Sequence, residues 1–343
     1  MSARLPSLAL VVLAAACGAR TGLFAGESSS GSSSGASSGS SSGSSSGAGC
    51  TEPLWLLFNL QDDSPAQRSG IYAMRADGSG GHLVNLPHGP ARNASVSPDG
   101  STLLYATYMA SATDGGADST LYAYDLASGK ASAIVTTTGL TYSALSPDGR
   151  TVSYVSDYTL KSIGADGSND RALLVGPNDQ GTGYGHPVFE SDSHTIVYAT
   201  GGIIGAIGAD GSNNRTLLDA IPGSFQYPNP AFSPDYQQIV VGLICSQGSP
   251  YTLRVYPFAS LPGAACESGR ILTSDITEGA SPNSANDPSW GDNGLIAYAS
   301  YPDVFLIDPN GGSPQKLTAS LTGDAGVVTA SDPVWAPGCA PIP

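Results

Sequence analysis

The chain has 343 residues, a formal net charge of −15 and only 12% charged residues, with 44 glycines and 25 prolines. So acidic a chain lacks the basic patches that nucleic-acid binding requires. Aspartate outnumbers glutamate and lysine is nearly absent, a balance that favours turns over helices. No stretch beyond the N-terminal segment has the periodicity of an amphipathic helix.

Residues 1–17 read as a secretory signal: Arg4 near the start, an apolar run from Leu8 to Leu13, then Ala14-Ala15-Ala16-Cys17. The apolar run is too short for a stable membrane span. Small residues before a cysteine resemble a bacterial lipoprotein processing site, with Cys17 as the lipidated N-terminus. Gly18 after it suits outer-membrane sorting, as the lipoprotein resemblance implies. Residues 18–49 form a Ser/Gly-rich linker, almost pure serine and glycine from 28 to 48. Such a segment buries too little apolar surface to offset its ordering entropy, and its random-coil reach is roughly 30 Å. Gly31-Ser32-Ser33-Ser34-Gly35 matches the nucleophile-elbow pattern by composition alone, since no strand precedes it and no helix follows.

From residue 50 to 343 one phrase recurs. A small or aromatic residue leads into Ser-Pro-Asp, then a turn, then a strand. Ser97-Pro98-Asp99-Gly100 precedes Thr102–Ala106, and Ser146-Pro147-Asp148-Gly149 precedes Thr151–Val155. Worn copies follow at Glu190-Ser191-Asp192, Ser233-Pro234-Asp235, Gly291-Asp292-Asn293-Gly294 and finally Trp335-Ala336-Pro337. Proline presets φ, aspartate bonds nearby backbone and glycine accepts positive φ, so each phrase predicts a strand, a tight turn and a strand. Asp99, Asp148, Asp192 and Asp235 follow at intervals of 49, 44 and 43 residues. A second phrase alternates with the first: a strand, a polar turn such as Asp77-Gly78-Ser79, Asp166-Gly167-Ser168 or Asp210-Gly211-Ser212, then another strand. Four strands per period of about 40–50 residues is the signature of a propeller blade.

The two phrases in fixed alternation resemble the TolB-like β-propellers, over residues 54–337. The expected fold is all-β: a six-bladed β-propeller with four-stranded antiparallel blades. The first unit begins at its second strand, Leu54–Phe58, and the last phrase is a first strand with nothing after it. The C-terminal strand is therefore expected to complete the first blade, removing two free edges.

Four cysteines remain after Cys17. Cys50 precedes the first strand and Cys339 follows the last. With the C-terminal strand in blade one these two become neighbours, and a Cys50–Cys339 disulfide is expected to lock the ring. Cys245 and Cys266 fall in one blade, where a local clip is expected.

Aligning the phrases gives one residue per blade at the entry to the innermost strand: Asn93, Tyr142, His186, Asn229, Asp287 and Asp332. One reading is a ligand or cation site at the channel mouth. The competing one is local: Asx or His before proline shapes the turn into the strand, and the last four positions each precede proline. The four histidines lack metal-ligand spacing, so no metal site is expected. Asp114–Asp118 is too short for a calcium loop, and Gly181-Thr182-Gly183-Tyr184-Gly185 has no helix after it to make a nucleotide fingerprint. Trp290 and Trp335 are expected in the core between blades.

No catalytic motif and no cofactor is read. The first functional reading is a lipid-anchored, extracytoplasmic binding module of the outer membrane or periplasm. The TolB-like resemblance implies docking at the channel face, with envelope lipoproteins or peptidoglycan-associated proteins as partners. The rival is a propeller enzyme of the polysaccharide lyase or glycoside hydrolase type, using Asp287, Asp332 and His186. A third reading is a structural scaffold.

Overall fold

The computed structural model describes residues 54–62, 69–110, 117–176, 183–219, 229–246, 251–273, 287–321, 328–337 and 342–343. The signal segment, Cys17, the linker, Cys50 and Cys339 lie outside the described residues. Blade one opens with β1 (Trp55–Asp62), β2 (Gly70–Arg75) and β3 (His82–Leu83). Blade two is β4 (Ala91–Val96), β5 (Thr102–Ala110), β6 (Ala117–Asp125) and β7 (Lys130–Thr138). Blade three is β8 (Leu140–Leu145), β9 (Thr151–Ser156), β10 (Thr159–Gly164) and β11 (Arg171–Val175). Blade four is β12 (Val188–Phe189), β13 (Thr195–Thr200), β14 (Ile203–Gly208) and β15 (Arg215–Asp219). Blade five is β16 (Pro230–Phe232), β17 (Gln238–Leu243), β18 (Thr252–Pro257) and β19 (Arg270–Ile271). Blade six is β20 (Ser289–Trp290), β21 (Ile296–Ser300), β22 (Asp303–Ile307) and β23 (Gln315–Lys316). The last strand, β24 (Val328–Trp335), pairs antiparallel with β1 and supplies the missing inner strand of blade one. The protein is thus an all-β, six-bladed propeller closed by its C-terminal strand.

The turn chemistry is the one the repeat predicts. Ser97 Oγ donates to Asp99 Oδ1 at 2.6 Å, and that carboxylate accepts Ser101 N–H at 3.0 Å. Thr102 N–H returns to Ser97 Oγ at 2.9 Å. The same bonds recur around Ser146-Asp148 and Ser233-Asp235. The residue after each aspartate is left-handed: φ is 69° at Gly100 and 72° at Gly149. Ser193 and Tyr236 adopt φ of 59° and 57° at the same place without being glycine, so there the surrounding bonds hold a conformation that L-residues resist.

Each sheet is apolar on both faces because each is pressed between two neighbours. Six separate cores result, one between every adjacent pair of blades. Leu104, Leu121 and Ile134 of blade two meet Leu145, Val152 and Tyr154 of blade three. Leu56, Phe58 and Met74 of blade one meet Ala297, Val304 and Leu306 of blade six, which closes the circle. Fully burying such a leucine or phenylalanine contributes roughly 1.5–3 kcal/mol, so the sealing contact between blades one and six rivals any other. Trp335 on β24 is buried in that same core, as expected from its place in the repeat.

Cys245 follows β17, and Cys266 lies in the turn between β18 and β19. They form a disulfide with Cα atoms 5.4 Å apart. Ala336 N–H bonds Trp55 carbonyl at 2.9 Å, so the described residues flanking Cys50 and Cys339 share one end of blade one.

Candidate functional site

The six inner strands, β4, β8, β12, β16, β20 and β24, touch one another in cyclic order and line a central channel. At one mouth stand the six aligned residues. Asn93, Tyr142 and Asp332 sit in β-bulges, where two residues of β4, β8 or β24 oppose one on the partner strand. A bulge re-aims a side chain that the pleat would otherwise send elsewhere, and Asn93 and Asp332 are left-handed, with φ of 57° and 50°. His186, Asn229 and Asp287 stand just before the short strands of blades four, five and six.

Asp332 bonds locally, accepting from Ser331 Oγ at 2.8 Å, but most of the contacts run from blade to blade. Asn59 of β1 donates from Nδ2 to Asn93 Oδ1 at 3.0 Å and to Asp332 Oδ2 at 2.7 Å, and its Oδ1 accepts Asn93 N–H at 2.9 Å. Asn93 Nδ2 donates to the Thr141 carbonyl of blade three. Next to it, the Tyr142 and His186 rings have centroids 4.8 Å apart. His186 N–H donates to Asn229 Oδ1 at 2.7 Å, and Asn229 Nδ2 donates to Asp287 Oδ1. Asp287 then lies near enough to Asp332 for the charge of one to act on the other. Whatever these residues do for the local turn, the network also reaches residues 34 to 273 positions away.

The last link fixes a protonation state. Burial, then the Asp332 charge, holds the Asp287 carboxyl well above the carboxylate range. Its Oδ2 is buried and has no hydrogen-bond partner among the described residues, so the neutral carboxyl is the form that this setting favours. Burial pushes His186 below its ordinary value, against the pull of Asp332, so its ring is neutral at pH 7. Tyr251, beside Asp287, is pushed up by burial and then by that carboxyl.

A carboxyl raised by a neighbouring aspartate is capable of acid–base chemistry in an open site. Here Asp287 is 3% exposed and Asn229 1%. Hydrogen bonds, with one ring contact between blades three and four, form a polar belt at this end of the channel. Sequence alignment missed Asn59 and Tyr251 because neither lies on an inner strand. Asn59 did leave a trace: it interrupts the apolar run Leu54–Leu60.

The other end of the channel differs. A funnel of about 270 Å³ opens there, lined by inner strands and Ser-Pro-Asp turns from all six blades. Its walls include Leu145, Phe189, Phe232, Trp290 and Trp335, with Pro98, Pro147, Pro234 and Pro337 at the turns. Trp290, expected in the core, is half-buried: it packs on the blade five–six core and also lines the funnel.

A belted polar mouth and an apolar funnel lie at the two ends of a closed six-bladed β-propeller. Among solved structures the chain is similar to TolB from Acinetobacter baumannii, at 17% identity, covering 83% of this chain and 67% of that one, with a TM-score of 0.61. It is also similar to a chain of the nidogen/laminin complex, at 14% identity, covering 82% of this chain and 98% of that one, with a TM-score of 0.54. These identities establish the fold alone. No family model matches the chain, and no curated protein matches its sequence.

Proposed function

We propose that this chain is a non-catalytic, extracytoplasmic binding module whose apolar funnel receives a segment of an envelope protein. The observation that carries the reading is the funnel: every blade gives it a wall, and Phe189, Phe232, Tyr236, Trp290 and Trp335 put aromatic surface into it. Convergent apolar and aromatic surface in a preformed concavity is where binding energy concentrates. The fold shared with TolB, and with a chain of the nidogen/laminin complex, supports a docking role. Anchorage through a lipid on Cys17, with the 18–49 linker as tether, belongs to the same proposal. Among the described residues no helix is long and apolar enough to cross a membrane.

Site-specific photocrosslinking tests the reading. A benzoylphenylalanine at Phe232 is expected to trap one envelope protein reproducibly, whereas the same probe at Tyr142, at the belted mouth, does not. Equal capture at both, or none at Phe232, ends the proposal. The rival enzymatic reading is checked in parallel with divalent metals and oligosaccharides. A melting shift abolished by Asp332→Asn, together with turnover, favours the enzyme.

A further inference from the structure

A second concavity, of about 370 Å³, lies beside the belted mouth between blades three and four. Its walls come from Tyr142, Tyr158 and Tyr184, with Val155 and the single carboxylate Asp157. The volume falls in the range of small-ligand sites. Among the described residues, no lysine or arginine lines it.

The backbone is shaped to make this arrangement. Asp157 and Tyr158 form the turn between β9 and β10, and both are left-handed, with φ of 45° and 58°. Consecutive non-glycine residues in that region are held at a cost. Tyr158 is nevertheless 48% exposed, one of five large apolar or aromatic side chains so placed among the described residues. Its position is not repaid by burial in a core. Thr138 Oγ1 donates to Asp157 Oδ2, and Gly139 is needed beneath it, since a Cβ there would fall 2.4 Å from Asp157 Oδ1. Tyr184 is anchored edge-on against Tyr198, with centroids 5.8 Å apart.

We infer that this pocket is a recognition site for an alkylated ammonium group, held by the tyrosine rings and by Asp157. Aromatic faces attract a cation through the ring quadrupole, and methyl groups on the nitrogen lower its desolvation cost while filling apolar space. A sugar is a poorer fit, because the side chains on the walls offer one carboxylate, three phenols and the Thr141 hydroxyl, where a polyol needs many directed partners. The chain's charge of −15 favours cation approach.

Calorimetric titration of the soluble propeller with choline chloride tests the inference, with sodium chloride at equal ionic strength as blank. The neutral isostere 3,3-dimethylbutan-1-ol is expected to bind at least about tenfold more weakly than choline. Tyr158→Phe keeps the ring and stays within about twofold of wild type, whereas Tyr158→Leu weakens binding by about tenfold. Asp157→Asn, which tolerates the same backbone, weakens it by about fivefold. Melting curves of each variant confirm folding. Sedimentation with phosphatidylcholine vesicles separates the sources: co-pelleting lost in Tyr158→Leu assigns a lipid headgroup, and no co-pelleting assigns a free cation. Equal binding of choline and its neutral isostere, unchanged binding in Tyr158→Leu, or no heat at tens of millimolar choline overturns the site.

Discussion

Replacing Asp287 by asparagine tests the belt directly. The amide keeps the size and shape of the carboxyl and can still bond Asn229, while the group can no longer ionise. In the wild type the folded state keeps a proton that the unfolded chain releases near the ordinary aspartate value of about 3.9. Folding stability is therefore greatest, as regards this group, below that pH, and is lost as pH rises toward the folded value. One proton sets the slope at about 1.4 kcal/mol per pH unit. For a domain of this size that is roughly 3 °C of melting temperature per unit. Asp287→Asn is expected to match wild type near pH 4 and to gain on it steadily above. The carboxylates held low by Ser-Pro-Asp turns, such as Asp148 through its bond from Ser146, lose stability in the opposite direction, as pH falls. They are common to both proteins and cancel in the difference. His186, whose folded value is depressed, cancels likewise. Melting curves by circular dichroism from pH 4 to 6.5 give the comparison. Parallel curves over that range would show that Asp287 ionises normally in the folded protein.

Three other outcomes follow from the fold. Ser146→Ala removes a buried hydroxyl that accepts Thr151 N–H at 2.9 Å and donates to Asp148 at 2.7 Å; a loss of about 1–3 kcal/mol in urea unfolding with unchanged m-value is expected. Reducing the Cys245–Cys266 disulfide, whose ends are 21 positions apart in sequence, should lower stability by about 3 kcal/mol on the chain-entropy model, read as a drop in melting temperature. A chain ending at residue 327 leaves the β1 edge unpaired and the blade one–six core without Trp335. It should aggregate or run as a mixture on size exclusion, and a peptide of residues 328–337 added in trans should recover monomer.

The blades were legible because their information is local. Pro-Asp-Gly and Asp-Gly-Ser fix turns within four residues, and the strands between them have no other use for so many consecutive apolar side chains. Closure by β24 was legible as a count, since a first strand was missing at one end and spare at the other. The candidate site was only half legible. Spacing placed Asn93, Tyr142, His186, Asn229, Asp287 and Asp332 at one mouth, four residues before each turn. It could not say whether their side chains turned back on their own loops or crossed to the next blade, because that depends on bulges and left-handed residues that no periodicity encodes. Asn59, which holds both Asn93 and Asp332, comes from a different strand of the repeat. The pocket at Tyr158 was invisible for a related reason: it is built from a hairpin tip in one blade and the residues entering the next.

The pairing of β24 with β1 has a consequence for synthesis. Asp62 lies opposite Val328 and Leu56 opposite Trp335, contacts that span most of the polypeptide. A growing chain carries an unsatisfied strand edge at β1 until β24 has been made. Contacts of such long sequence separation also form slowly. The first blade thus waits for a partner made about 270 residues later, and the ring gains its last cooperativity only when that partner docks.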